Sequence, residues 1–363
     1  MKREAISEKQ MQLLIFGYPL GLYLLFNVGS EVKQDAWIAS IIGIILSIPI
    51  LAMYGKLMDL YPGKNLFDIL EIIFGKILGK ILETIFIFHA IFTSAYTLNN
   101  LMDFIKLSGL WNTPKFVPTL FIGILMLWIL NEGIEVIYNY AKFNIRFIII
   151  FLVLAWLLLL PDMEFSRLQP ILYTDFSKIF KEGITLSVYP FMELFIFLTF
   201  FDTVKYNSNV KNIFIKPLLL SAIFITIITT TNIMIVGPEI YSIFYYPGYE
   251  AMKRMHLRGE YQRLEVIVSI VFTIMRFLEV TYCLLGASKG VQKIFNLKDY
   301  RHILAPVVFL SLNFSHIMFN SIMESMYVIK NLWSYYGFII KVILPIIIFI
   351  LAIIKKKLYK ETV

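Results

Sequence analysis

The stretch ITLSVYPFMELFIFLTF, residues 184–200, decides the fold because the pair Tyr189-Pro190 interrupts an otherwise apolar run. A second stretch, LLIFGYPLGLYLLF at residues 13–26, carries the pair Tyr18-Pro19. Proline removes a backbone donor and clashes with the preceding turn, so both helices are predicted to kink or open near their middles. Matched interruptions in two halves of a chain indicate a transporter-type binding site in a membrane protein.

The composition excludes a soluble globular protein. Of the 363 residues, 59% are hydrophobic, and the mean hydropathy is +0.75. Soluble domains contain about 45–50% apolar residues. Here the apolar residues form blocks of about 20, the length of a helix that crosses a bilayer. Ten spans are predicted, near residues 10–30, 37–57, 82–104, 116–131, 144–160, 184–203, 214–236, 264–286, 303–320 and 337–354.

The basic residues predict the orientation of these spans. Lys and Arg are in excess on the segments that face the cytoplasm if the N-terminus is cytoplasmic. An even number of spans places the C-terminal Lys355-Lys356-Lys357 run on the same side. The net charge of +8 is therefore read as a topology signal rather than as nucleic-acid binding. Catalytic and metal-binding motifs are missing from the sequence, which predicts neither an enzyme nor a cofactor.

The two Tyr-Pro segments divide a single transmembrane domain, residues 1–363, into two repeats. Repeat one covers residues 10–160 and repeat two covers residues 184–354. Each half has five spans, an odd number, so the halves must enter the membrane from opposite sides. The predicted fold is therefore an all-α membrane protein of ten helices in two inverted five-helix repeats, with helices 1 and 6 interrupted. Each half also has a linker that reads as a surface-lying helix, residues 65–76 and 241–258.

Helix 3 carries a polar stripe along an apolar surface. Its side chains recur every three or four residues, so they share one helix face, and this face must contact protein or water. The stripe either forms hydrogen bonds between helices or lines a path for a solute. It consists of His89, Thr93, Tyr96, Asn100 and Asp103, with Asn99 beside them.

Further charged residues fall within predicted spans. Arg276 and Glu279 of helix 8 are expected to pair with each other or to reach across to another helix, because isolated charges at membrane depth are costly. Glu193 of helix 6 either complements the positive end of the half-helix that follows Pro190, or binds the ammonium group of a zwitterionic ligand or exchanges a proton. Lys341, early in helix 10, is expected to extend toward the outer interface.

Helix 1 is predicted to contribute backbone donors. If the chain opens at Pro19, the amides of Leu20, Gly21 and Leu22 begin a new half-helix and attract a carboxylate. The spacing of Gly17 and Gly21 offers a competing explanation, close packing against a neighbouring helix.

Several sequence blocks resemble the spore germination permease family, the B subunits of GerA-type germinant receptors. They lie in that family's order along most of the chain, and the Gln-Asp-Ala-Trp and Pro-Gly-Lys blocks are the most specific. Two positions depart from the family pattern, Leu22-Tyr23 and Phe26-Asn27, and make the expected pocket smaller and more apolar. The matching blocks include Ile6-Ser7-Glu8-Lys9-Gln10, Gln34-Asp35-Ala36-Trp37, Tyr61-Pro62-Gly63-Lys64 and Tyr189-Pro190-Phe191-Met192-Glu193.

The resemblance implies the amino acid-polyamine-organocation superfamily and its LeuT-like fold. It also implies the inner membrane of a bacterial endospore, where such a subunit senses a small nutrient, an amino acid or nucleoside. Its partners there are a larger A-type subunit and a lipoprotein C-type subunit.

The leading hypothesis is a germinant-sensing subunit that binds a small solute between helices 1, 3, 6 and 8. The alternatives are a cation-coupled secondary amino-acid transporter and a scaffold subunit with a vestigial site. Glu193→Gln is predicted to impair germination at a normal protein level. The predicted ligand-binding residues are Tyr18, Gly21, Leu22, Asn99, Asn100, Tyr189, Glu193 and Arg276.

Overall fold

A computed structural model of the chain describes residues 4–205, 212–254 and 264–361. Within these ranges the regular structure is helical, and the β-type pairing is an isolated bridge between Ile6 and Val204. The predicted all-α fold is confirmed.

The first half of the chain forms five helices that overlap the first five predicted spans. A capping box formed by Ser7 and Gln10 begins the first helix, and a short 3₁₀ turn at Ser30–Asp35 leads into the second. The helices are α1 Glu8–Tyr23, α2 Ala36–Leu60, α3 Leu66–Ser108, α4 Phe116–Glu132 and α5 Ile134–Leu159.

The second half begins with α6 Phe176–Val188, followed by a 3₁₀ helix at Phe191–Thr203. Two π-helical segments, Ile329–Trp333 and Ile339–Ile343, join the final three α segments. The remaining helices are α7 Ile215–Val236, α8 Pro238–Ile243, α9 Pro247–Arg254, α10 Leu264–Ile294, α11 Leu304–Ile317, α12 Ile322–Val328, α13 Ser334–Phe338 and α14 Leu344–Glu361.

Both predicted surface linkers contain helical structure. The first is the initial part of α3, whose direction changes at Gly75 (φ 77°, ψ −179°). In the second linker, α8 and α9 cover much of the predicted range, and residues 255–258 of that prediction lie outside the described residues.

Helix 6 is interrupted where the sequence predicts it. Tyr189 is extended (φ −138°, ψ 116°), and a 3₁₀ helix replaces the α-helix after Pro190. In helix 1 the predicted position is wrong by about one turn. Pro19 lies inside α1, where the Leu24 amide bonds to the Leu20 carbonyl at 3.2 Å, and the regular helix ends at Tyr23.

Six helical stretches in the described ranges are long and apolar enough to cross a membrane, and α4 is a shorter apolar helix. The largest helix–helix interface joins α3 and α10, which contain predicted spans 3 and 8. The count of ten spans and the inverted repeat stay predictions. The six stretches are Ser30–Leu60, Ile134–Asp162, Phe176–Thr203, Ile215–Val236, Glu265–Ile294 and Ile322–Lys357.

Candidate functional site

The break in helix 6 places a carboxylate in the protein interior. After Pro190 the chain turns into the 3₁₀ helix, and the Glu193 amide donates to the Pro190 carbonyl at 3.1 Å. The Glu193 residue is 2% exposed. A carboxylate at this depth is tolerated only with a cation or several donors around it.

Glu193 has both kinds of partner. Lys341 Nζ donates to Glu193 Oε1 at 2.6 Å, and His89 Nε2 lies 3.4 Å from Glu193 Oε2. These three residues, which we call the Glu193 triad, join the helix 6 break to α3 and to the last helix. Glu193 is therefore balanced within the chain itself, without the ammonium group of a ligand.

The prediction for Lys341 is wrong. Its side chain is fully buried against Glu193 instead of extending to the interface. The physical reason is the position of the last apolar helical stretch, which begins at Ile322 rather than near residue 337, so Lys341 lies near its middle instead of near its start. Gly337 makes room for the ammonium group, because a Cβ at Gly337 would approach Lys341 Nζ to 2.9 Å.

Aromatic rings enclose the triad. Trp333 stacks on His89 with ring centres 5.2 Å apart, and Tyr336 lies against both rings. The Lys341 ammonium lies 5.8 Å from the centre of the Tyr189 ring, and Tyr54 donates its hydroxyl to the Lys341 carbonyl. These rings keep water away from the ion pair and strengthen it.

The predicted pairing of Arg276 with Glu279 is confirmed. Arg276 Nη1 donates to Glu279 Oε2 at 2.6 Å, and both side chains are buried. Thr97 of α3 donates its hydroxyl to Glu279 Oε1 at 3.0 Å. Thr97 was not among the predicted site residues, although it lies four residues after Thr93 and fits the same stripe.

Arg276 faces the end of helix 1. Its guanidinium carbon lies 5.4 Å from the centre of the Phe26 ring and 5.7 Å from that of Phe272. Two of its nitrogens, Nε and Nη2, are buried without a hydrogen-bond partner. Tyr189 and Tyr96 interact with it electrostatically.

The two asparagines of helix 3 have different surroundings. Tyr245 donates to Asn100 Oδ1 at 2.8 Å, and Asn100 Nδ2 is buried without a partner. Asn99 instead donates to the Ser315 carbonyl of α11 at 2.9 Å. Asn100 therefore belongs to the network near Arg276, whereas the amide of Asn99 joins two helices.

Helix 1 contributes packing at the places where backbone donors were expected. The amides of Leu20, Gly21 and Leu22 lie inside α1, so the predicted half-helix start is wrong. A Cβ at Gly21 would lie 3.1 Å from Met275 Cβ, which favours the packing explanation. The Tyr18 hydroxyl lies 3.9 Å from the Cys283 sulfur.

A separate apolar cavity lies between α5, α7 and α9. Its volume is about 110 Å³, and its walls include Leu24, Trp156, Asn232 and Gly248. None of the predicted ligand-binding residues lines it. Metal-binding groups of three or more His, Cys, Asp or Glu residues are not found within the described ranges.

The helix arrangement matches that of known transporters. Mhp1, a nucleobase-cation-symport-1 family transporter in a closed conformation with bromovinylhydantoin bound, aligns with a TM-score of 0.70 and 11% identity over 93% of this chain and 76% of that chain. MhsT in complex with L-phenylalanine aligns with a TM-score of 0.66 and 13% identity over 97% of this chain and 89% of that chain. This chain is an integral membrane protein with the LeuT-like fold.

The sequence comparisons define the family. The profile of the Spore germination protein family matches residues 5–325. Among Bacillus subtilis (strain 168) proteins, Spore germination protein KB is 21% identical over 98% of this chain and 97% of its own length. Spore germination protein B2 is 22% identical over 90% of this chain and 88% of its own length. The chain belongs to the spore germination protein family, and family and fold point to a receptor or permease rather than an enzyme.

Proposed function

We propose that this chain is a nutrient-sensing subunit of a spore germination receptor. It binds a small solute such as an amino acid between predicted helices 1, 3, 6 and 8, which correspond to α1, α3, α6 with the 3₁₀ helix that follows it, and α10. The observation that carries this proposal is the convergence of buried charges at the helix 6 break. The Glu193 triad and the Arg276 pair draw on α3, α10, the 3₁₀ helix and the last helix. A membrane protein retains such costly groups at sites of function.

The proposed binding residues are those expected from the sequence. Some of them now contribute polar groups, and others contribute only packing. Tyr189, Glu193, Asn100 and Arg276 line the polar network. On the other side, Tyr18, Gly21 and Leu22 shape the wall from helix 1, and Asn99 fixes α3 to α11. Nutrient binding would shift the packing between these helices and pass the change to partner subunits.

The partners and location are part of the same proposal. They are an A-type subunit and a lipoprotein C-type subunit in the inner membrane of an endospore, with both termini of this chain cytoplasmic. The names of the relatives, Spore germination proteins KB and B2, support a role in germination. Co-purification of the tagged chain from spores with two such subunits is expected, and its recovery as a lone chain would oppose this part.

A cation-coupled amino-acid transporter is the second candidate. His89 lies beside Glu193 with its Nδ1 atom buried and unpaired, an arrangement suited to proton exchange. Purified protein in liposomes separates the candidates. A sensor binds the nutrient without accumulating it, whereas a transporter accumulates it saturably when a proton or sodium gradient is imposed.

The decisive test of sensing uses spores. Deletion of the gene is expected to abolish the response to a nutrient or a subset of nutrients, and the wild-type gene should restore it. Spores whose chain carries substitutions at the proposed binding residues separate sensing from the scaffold alternative. A scaffold subunit with a vestigial site predicts that these spores respond with unchanged nutrient sensitivity.

A further inference from the structure

Arg276 is the most undersatisfied charged group in the described core. Its side chain is 0% exposed, and only Nη1 has an acceptor, the Glu279 carboxylate. The Nε and Nη2 atoms are buried donors without partners. Guanidinium groups favour paired contacts in which two N–H groups meet two oxygens, and the described residues supply no such pair of oxygens to the Nε–Nη2 edge.

The described groups around that edge supply no carboxylate or carbonyl acceptor within hydrogen-bond distance, and the polar neighbour of the guanidinium is the Tyr189 hydroxyl. The rings of Phe26 and Phe272 lie on the guanidinium and attract its charge through their faces. Helix 1 approaches closely through Gly21, where a Cβ would lie 3.9 Å from Arg276 Cδ. The aromatic faces attract the charge, whereas Nε and Nη2 of Arg276 stay without a hydrogen-bond partner among the described residues.

Two more unpaired donors belong to the same network. Asn100 Nδ2 and the Tyr189 hydroxyl are both buried without a partner. The Tyr189 hydroxyl oxygen faces the Arg276 guanidinium and can accept from it, which leaves the hydroxyl proton free to donate, and Tyr96 interacts with both Arg276 and Asn100. A ligand that satisfies these donors must offer several acceptor oxygens, and an ionised carboxylate offers about four lone-pair sites.

The two buried carboxylates near the site already have cations from the chain. Glu193 has Lys341 as its cation, and Glu279 has Arg276. Neither acid requires an ammonium group from outside. The backbone amides that the sequence assigned to a carboxylate lie within α1 and are not exposed at a helix start. The unmet requirement is therefore an acceptor for the remaining N–H groups of Arg276, and a carboxylate has the matching two oxygens.

We propose that Arg276 binds the carboxylate of the nutrient through its Nε–Nη2 edge, with Asn100 and Tyr189 as additional donors. This inference rests on the proposed nutrient-binding function and narrows its ligand to a small carboxylate. Sugars and nucleosides, which lack this group, are excluded as ligands of this site.

Matched ligands test the requirement for a carboxylate. The full chain in lipid nanodiscs is titrated with the proteinogenic amino acids, their carboxamides, propionate, inosine and D-glucose, and binding is measured calorimetrically. An amino acid is expected to bind on the order of 10- to 100-fold more tightly than its carboxamide, the range that charge-assisted hydrogen bonds provide. Propionate distinguishes a simple carboxylate from an amino acid, because it lacks the amine.

Variants test the role of Arg276. Arg276→Lys keeps the charge beside Glu279 and loses the planar N–H groups of the guanidinium that can meet both carboxylate oxygens. The same amino acid should therefore bind on the order of 10- to 100-fold more weakly. Should this variant misfold, the double variant Arg276→Met/Glu279→Leu removes the pair together and should show the same loss. Arg167→Lys, at a pair with Glu164 outside this network, is the matched control with unchanged binding.

Three results would overturn the inference. These are equal binding of an amino acid and its carboxamide, unchanged binding by both Arg276 variants, or binding of no carboxylate by the wild-type chain, which would leave water as the partner of Arg276. If inosine or D-glucose binds instead, the carboxylate inference fails and the sensing function stands. The sensing function itself fails when gene deletion leaves all nutrient responses of the spores intact.

Discussion

At the scale of single residues, two buried acids each hold a cation at membrane depth. Glu193 pairs with Lys341, and Glu279 pairs with Arg276. Removal of one member leaves an uncompensated charge, which is more costly than removal of both. The substitution Glu193→Gln is therefore expected to lower the protein level through Lys341, in contrast to the expectation from sequence.

A double-mutant cycle measures this pair. Glu193→Gln alone and Lys341→Met alone are each expected to reduce the free energy of unfolding by about 3–5 kcal/mol. The double variant should recover most of that loss, because no unpaired charge remains. Denaturant unfolding in detergent measures all four proteins, and a double variant as unstable as the sum of the singles would contradict the pairing.

At the scale of helices, the bend in α3 depends on one backbone conformation. Gly75 adopts φ 77° and ψ −179°, a region that residues with a side chain rarely occupy. Nothing lies within 4 Å of a Cβ placed there, so only the backbone opposes a substitution. The bend positions the surface part of α3, where Asp68 pairs with Lys293 of α10 at 2.7 Å.

Gly75→Ala is expected to destabilise the protein by about 1–3 kcal/mol, the cost of a strained backbone. Gly109→Ala is the matched control, because its surroundings are equally open and its φ of −166° suits any residue. Thermal unfolding of both variants measures the difference. Equal melting temperatures would show that the bend does not require glycine.

The turn before α11 predicts a pH dependence. Burial alone would raise the pKa of Asp299, but hydrogen bonds from the Arg301 amide and guanidinium hold this pKa below its ordinary value. The unfolded chain therefore binds a proton at higher pH than the folded protein does. The stabilisation by Asp299 is present above the unfolded pKa and is lost as the pH falls through the folded pKa.

Asp299→Asn should accordingly lower stability at neutral pH and have a smaller effect in acid. The control is Asp175→Asn, because the side chain of Asp175 makes no capping hydrogen bond to α6. Unfolding of the three proteins across an acidic to neutral pH series measures the effect. A loss independent of pH would contradict the assignment.

At the scale of the whole molecule, the orientation in the membrane is open to a direct test. The positive-inside pattern places the segment between α3 and α4 outside and the C-terminal lysines inside. Cys283 is the single cysteine and is fully buried, so it provides a silent background for labelling.

Trp111→Cys, at a residue that is 72% exposed, is expected to react with a membrane-impermeant maleimide added to intact cells. Lys357→Cys should react only after permeabilisation, and the wild-type protein should stay unlabelled in both cases. Labelling of Lys357→Cys in intact cells would reverse the predicted topology.

The sequence by itself determined the membrane class, the helical fold and the break at Tyr189-Pro190, because these follow from local composition and from the chemistry of proline. It also determined the Arg276–Glu279 pair, since residues three apart share a helix face. Each of these signals is local, and each is readable without knowing which helices are neighbours.

Only the tertiary structure decided which distant charges meet. The partnership of Glu193 with Lys341 and His89 spans three helices, and no periodicity predicts it. The course of helix 1 through Pro19 was also decided by packing, with Gly21 against Met275. Long-range contacts thus neutralised Glu193 and left Nε and Nη2 of Arg276 without a hydrogen-bond partner in the described part of the chain.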